Sequence, residues 1–189
     1  MQVIDRRALF RGTAAGAASL LAARLSHATL VRGLTLPRLV AGSRHVVLLR
    51  PLESYSHYVV LGGRRSIVTD TRVRIEDVVA KQEPEGTELI VRTLGGRIDR
   101  VGEIVHGQAE LELEALSLAF LKRGSDEAHW VVGMAQGHYP IEGASLEQAQ
   151  LSASRSLPEI RDWHGSAVRL LAGKTLAWAR EAVKQAGAR

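Results

Sequence analysis

The chain has 189 residues, a formal net charge of +5, 46% hydrophobic residues and no cysteine. That length suffices for one domain with its own core, and the missing thiols exclude cysteine nucleophiles, cysteine-ligated zinc and haem attachment. Four arginines and one aspartate fall within residues 1–28; the remainder carries about +2, too little for a nucleic-acid partner or a polybasic membrane patch.

Asp5-Arg6-Arg7-Ala8-Leu9-Phe10-Arg11 precedes a weakly apolar run from Gly12 to Ala23, which closes on Ser26-His27-Ala28. A charged start, a short apolar stretch and a small-x-small end are the parts of an export signal. The paired Arg6 and Arg7 resemble the motif read by the twin-arginine (Tat) translocase, with Asp5 where a hydroxyl residue is usual and Leu9-Phe10 in inverted order. The run is too short, and too rich in Ala and Gly, to anchor in a bilayer. Residues 1–28 are therefore expected to be removed after Ala28, leaving a mature chain that begins at Thr29 in the periplasm or outside the cell. The Tat translocase is its expected partner during export. A Tat substrate folds in the reducing cytoplasm, which accounts for an exported chain without disulfides.

Thr35 to Gly42 reads as a short helix, with Thr35 as cap, Pro37 in the first turn and Gly42 at the end. His45–Leu49 and Tyr55–Leu61 are strand-like, and Gly62-Gly63 marks a turn. Ser66 to Val79 alternates: Ile67, Thr69, Thr71, Val73 and Ile75 share one face, with Asp70, Arg72, Arg74 and Glu76 on a wet one. Past Glu83-Pro84-Glu85-Gly86, Thr87–Thr93 is a strand ending at a second turn, Gly95-Gly96. Glu110–Leu121 alternates again, but its apolar phase flips from Leu111 and Leu113 to Leu116, Leu118 and Phe120. That predicts a bulge near Ala115, with a helix as the competing reading. His129–Ala135 is the last long strand, extended by Tyr139-Pro140-Ile141.

Residues 143–165, rich in Ser, Gln and Glu and containing Pro158, read as a linker. Residues 166–186 form an amphipathic helix: Val168, Leu171, Ala172, Thr175, Leu176, Ala179 and Val183 follow helical spacing, and Ser166 caps the start. The helix is expected to dock on its own domain, with membrane contact near Trp178 as the secondary expectation. Short strands, glycine turns and few helices predict a mainly β fold, a small antiparallel barrel or sandwich.

Leu36 to Val47, Ile67 to Val79, Val91-Arg92-Thr93-Leu94-Gly95-Gly96 and Val131-Val132-Gly133-Met134-Ala135-Gln136-Gly137 resemble a set of uncharacterised exported bacterial proteins. The resemblance covers about residues 34–142 and runs as leader helix, strand pair, Val-Arg-Thr-x-Gly-Gly turn and closing Val-Gly-x-x-Gln-Gly strand. That succession is similar to the OB-type barrel of the netrin and tissue-inhibitor-of-metalloproteinase class. It implies a small OB-like antiparallel barrel at 29–142, with a short N-terminal helix and a C-terminal amphipathic helix. The activity it implies is binding or inhibition of an extracytoplasmic protease. Those inhibitors chelate the protease zinc through an amino-terminal cysteine, which this chain lacks. Leu113-Glu114-Ala115-Leu116 also replaces a Gly-Glu turn of the pattern, so no catalytic or chelating residue carries over.

The residues themselves carry little chemistry. His45, His57, His106, His129, His138 and His164 show no metal-ligand spacing. No Gly-x-Ser-x-Gly occurs, and neither glycine pair opens a helix with a dinucleotide fingerprint. No catalytic residue, cofactor or metal ligand is therefore assigned. Glu110, Glu112 and Glu114 read as a solvated strand face, paired across strands with Arg72 and Arg74. Tyr55, Tyr58, Trp130 and Tyr139 lie in or beside strands, and Trp130 is expected to pack. The expected function is an exported, non-catalytic protein-binding module whose partner is an extracytoplasmic protein, a secreted peptidase in the specific case. Its binding surface is expected at Gly62 and Gly63, at Gly95 and Gly96, and at Thr29. The rival is a periplasmic hydrolase centred on a histidine, with His106, His129 and His138 as candidates.

Overall fold

After a two-residue strand β1 (Val31–Arg32) and helix α1 (Leu36–Gly42), two long strands supply the frame. The structure, a computed structural model, describes residues 31–188 except 144, 146 and 147. Arg6, Arg7, Ala28 and Thr29 lie outside the described residues. Strands β2 (His45–Leu61) and β3 (Arg64–Lys81) pair antiparallel along their whole length. They meet at Gly62-Gly63, both at positive φ, as a two-residue hairpin turn requires. Strand β4 (Glu88–Leu94) adds antiparallel to β3, and a small hairpin follows, β5 (Gly96–Ile98) with β6 (Val101–Glu103). Strand β7 (Ser117–Arg123) pairs antiparallel with β2. Strand β8 (His129–Val131) lies antiparallel to β7 and parallel to β4. Five strands thus close a ring in the order β7-β2-β3-β4-β8.

A 3₁₀ turn at Met134–Gly137 leads into β9 (His138–Glu142), which pairs with β7, and β10 (Gln150–Leu151) extends the sheet. Strand β11 (Ile160–Arg161) runs parallel to β1. The chain ends in helices α2 (Ala167–Leu171) and α3 (Leu176–Gly187).

Alternation along these strands builds two cores. Val47, Leu49, Val73, Val91, Ala119 and Leu121 fill the inside of the ring. Val46, Leu48, Leu118, Phe120 and Tyr139 point outward and pack beneath the helices with Leu39, Leu171 and Val183. All five residues from Ser117 to Leu121 are buried, because both faces of β7 are covered. Phe120 and Tyr139 meet edge to face at 6.1 Å between ring centres, a geometry worth about 0.5–1.5 kcal/mol beyond area alone.

Several expectations need correction. Glu110–Leu116 is not strand: the pairing of β7 with β2 ends at Ser117 opposite Leu49. Beyond it stands Pro51, with no N–H to continue a ladder, and the chain turns there, Glu114 at positive φ donating its N–H to the Pro51 carbonyl. The register shifts lie instead in the β2–β3 pairing, the last of them between Pro51 and Glu53. Arg72 pairs with Glu53 and Glu88, and Arg74 with Glu76, rather than with the 110–114 glutamates. His129–Ala135 is strand only to Val131. Residues 148–165 of the expected linker are woven into the fold, since Ala149 and Leu151 belong to the helix-side core and β11 holds β1.

The C-terminal helix is two helices. Gly173 takes positive φ, and the second helix is capped anew by Thr175, whose hydroxyl accepts from the Trp178 N–H. Ser166 caps α2 through the Arg169 N–H. Helix α3 buries Leu176, Ala179 and Val183 against the domain and leaves Trp178 partly exposed, the Lys174 ammonium 5.6 Å from its ring. No described helix is long and apolar enough to cross a membrane.

Candidate functional site

The inward face of the ring changes character along its length. Across β3 and β4 the facing pairs read Val73 with Leu89, Thr71 with Val91, then Thr69 with Thr93. Strand β7 repeats the change as Leu121, Ala119 and Ser117. One end of the interior is therefore hydrocarbon and the other is hydroxyl. Strand β8 closes only the hydrocarbon end, being three residues long. At the other end a cavity of about 770 Å³ opens between Thr69, Thr71 and Thr93 on one wall and Ser117, His138 and Pro140 on the other. That volume lies within the ~300–1,000 Å³ of small-ligand sites.

Two groups on the β7–β9 wall stand out. Ser117 and His138 are each 2% exposed. Ser117 Oγ and His138 Nδ1 have no hydrogen-bond partner among the described residues. The register sets Ser117 opposite Pro140 and Ala119 opposite His138. Ser117 and His138 are thus diagonal neighbours on one face, about 7 Å apart at Cβ. Burial pushes the His138 imidazole down to about 4, so it is neutral at physiological pH, one ring nitrogen donating and the other accepting. An unpartnered buried polar group costs about 1–3 kcal/mol, and two on one cavity wall mark a surface shaped for a polar guest.

The mouth is formed by residues 104–116, of which 110–116 were expected as strand, and by residues 152–156 of the expected linker. Glu110, Glu112 and Glu142 stand exposed around it, and none of them forms an ion pair among the described residues. Arg97 and Arg155 also line it. Ser156 and Gln108 tie the two segments together through Ser156 Oγ and the Gln108 carbonyl.

Of the surface expected from sequence, Gly95 and Gly96 lie on the lip of this cavity. Gly96 has φ +140, and a Cβ there would stand 2.4 Å from both Ser56 Oγ and Thr69 Oγ1. Those hydroxyls are fixed to each other at 2.9 Å, and Thr69 also donates to the Gly95 carbonyl. Gly96→Ala is therefore expected to lower stability by about 3 kcal/mol, read from the denaturant midpoint at unchanged slope. Gly62 and Gly63 lie six residues beyond Ser56, roughly 20 Å away at ~3.3 Å per residue. The structure does not bring the two pairs together. Thr29 is outside the described residues, but the chain just after it lies with the helix layer. There β11 holds β1, and Gln136 clasps the Leu34 N–H and the Arg32 carbonyl.

The three histidines of the rival reading occupy three places. His106 is exposed on a loop, His138 lines the large cavity, and His129 lines a second cavity of about 310 Å³. His129 is lowered by burial first and then by His45, whose ring centre is 5.3 Å away, and by Arg123. No group of three His, Asp or Glu side chains is placed to hold a metal ion among the described residues. Sequence reasoning named His138 as one of three candidates for a histidine-centred site and missed Ser117; the run from Thr69 through Val73 on one face was the available signal.

Exposed large apolar side chains gather beside the cavity. Ser56, Tyr58 and Val60 share a face of β2 at alternate positions, and the β5–β6 hairpin lies against it at Ser56. On that hairpin and just past it, Val101 and Ile104 are exposed, Ile104 at 84% and Val60 at 73%. Ile104 also lines the cavity, and Leu113 is exposed on the opposite part of the same loop. No protein-family model matches the chain, and a search of curated proteins gave no match.

Proposed function

We propose that this is an exported binding module built on an OB-type barrel, which recognises an extracytoplasmic protein with the surface around the cavity mouth. The barrel assignment rests on strand order: a three-strand meander whose first strand pairs with the fourth, and a fifth that runs parallel to the third. The observation that carries the binding role is the concentration of exposed apolar side chains on two adjoining hairpins, Tyr58 and Val60 with Val101 and Ile104. Apolar side chains exposed on two elements that adjoin at Ser56 are more than ordinary scatter and favour a contact surface. A nucleic-acid partner fits poorly, since Arg72 and Arg92 on the outer sheet face each hold two carboxylates. Location in the periplasm or outside the cell rests on the Arg6-Arg7 signal, and a secreted peptidase is the partner that the family resemblance implies. The hydrolase reading has Ser117 and His138 on one wall in its favour. An imidazole held near 4 is a weak general base at neutral pH, however.

The test uses the mature chain as bait in extract from its own periplasm and culture medium, beside a Val60→Asp/Ile104→Asp variant. Wild type is expected to retain a partner that the variant loses, and the purified partner is expected to bind wild type at least tenfold more tightly. Identical retention by both proteins would remove the hairpin surface from consideration. If the partner cleaves peptides, inhibition of that cleavage tests the peptidase assignment.

A further inference from the structure

The surface reading leaves the cavity itself unused, and its chemistry is specific enough to name a guest. We propose that the cavity is a socket for a basic side chain, lysine or arginine, carried on a protruding segment of the protein partner. This deepens the binding-module reading and rests on it. Three features converge. At depth, Ser117 and His138 line the cavity, and Ser117 Oγ and His138 Nδ1 are buried without any hydrogen-bond partner among the described residues. A serine hydroxyl and a neutral imidazole can both accept from an N–H donor.

Along the walls, Leu111, Leu116 and Ile141 offer hydrocarbon to the stem of a long side chain. At the mouth, Glu110, Glu112 and Glu142 are exposed without ion pairs among the described residues; of the two arginines there, Arg97 donates to the Asp99 carbonyl and Arg155 is exposed. The carboxylates of the lining outnumber its guanidinium groups. A phosphate or carboxylate guest would pass these glutamates against like charge, and a neutral polar guest would make no use of them. A cation is drawn in at the mouth and finds acceptors at the end. The volume of about 770 Å³ exceeds one side chain, so a few flanking residues of the partner segment enter with it.

The experiment titrates the full mature protein with three short blocked peptides, acetyl-Gly-Lys-Gly-amide, its arginine counterpart and its norleucine counterpart. Binding is read from backbone and imidazole NMR signals. The lysine or arginine peptide is expected to give saturable shifts at Ser117, His138 and Thr71. The norleucine peptide, with a similar stem and no charge, is expected to bind at least tenfold more weakly. Glu110→Gln/Glu112→Gln/Glu142→Gln alters only exposed side chains; it should weaken the basic peptides about tenfold and flatten their salt dependence. Its dispersed spectrum reports that it is folded. Equal binding of norleucine and lysine peptides, shifts confined to other surfaces, or no saturable shift at millimolar peptide would each overturn the proposal. Partner capture that depends on Val60 and Ile104 would survive such a result, so failure of the socket and failure of the surface reading are told apart.

Discussion

Acidification from pH 7 to pH 4 is expected to remove on the order of 3 kcal/mol of folding stability through His138 alone. Its imidazole is 2% exposed and is pushed by burial from 6.5 down to about 4. In the unfolded chain the same ring titrates at its ordinary value. Between the two values the unfolded state binds the proton and the folded state does not, so stability rises with pH across that window. The contribution is complete above pH 6.5, falls by up to about 1.4 kcal/mol per pH unit below it, and is exhausted once the folded protein protonates near 4. His129, also lowered by burial, adds in the same direction. Glu76, held low chiefly by its hydrogen bond from Arg50, loses its contribution only below the ordinary carboxylate range. The slope between pH 6.5 and pH 5 therefore belongs to the histidines. Urea midpoints measured across that interval should shift steeply in the wild type and distinctly less in His138→Gln. An unchanged slope in the variant would mean that His138 is hydrated or paired in solution, and the polar end of the cavity would have to be redrawn.

The same residue illustrates what was legible in the sequence. Local signals held where the physics is local. Pro37 sits in the first turn of a helix over Leu36–Gly42, though the Thr35 side chain makes no capping hydrogen bond and Ser43 ends the helix; Gly62-Gly63 makes the hairpin, and alternation from Ile67 to Ile75 gives one inward face. Thr69 and Thr71 before Val73 and Ile75 already contain the polar-to-apolar change that opens the cavity. What the chain does not display is registration. Thr93 joins Thr69 because β4 pairs with β3, and Ser117 becomes a diagonal neighbour of His138 only after β9 folds back on β7. Alternation alone misled at Glu110–Leu116, where a strand pattern has no ladder to join because Pro51 stands where the next donor would be. Helical spacing misled at Ala172–Thr175, where Gly173 turns the backbone and Thr175 starts a new cap. The site was hidden for the same reason, its walls coming from β3, β4, β7 and β9 and its mouth from two loops that share no sequence neighbourhood.

Arg92→Met is expected to cost about 3–5 kcal/mol, the largest effect of any single substitution outside the two cores. Asp70 was expected on a wet strand face with Arg72 and Arg74, yet its side chain is 3% exposed. The register explains the difference. Tyr55, Asp70, Arg92 and Trp130 form one row across β2, β3, β4 and β8, so the carboxylate and guanidinium lie side by side between two aromatic residues. Arg92 grips Asp70 with two hydrogen bonds, Nε to Oδ1 at 2.5 Å and Nη2 to Oδ2 at 2.7 Å. Its third arm reaches Asp126. His57, stacked on Tyr55, comes no closer to Asp70 than 3.7 Å. Without Arg92, then, a buried carboxylate is left with one distant imidazole, and desolvation is uncompensated. The converse change is milder. In Asp70→Leu the guanidinium, 12% exposed, keeps Asp126, itself half exposed and hydrated. Combining Arg92→Met with Asp70→Leu removes both charges from the row, and the double variant should return to within about 1–2 kcal/mol of wild type. The cycle of four proteins, measured by urea unfolding, should therefore give a coupling energy of about 2–3 kcal/mol between the two sites. Simple additivity of the two single losses would show that the pair is solvated, and that the row from Tyr55 to Trp130 does not seal it.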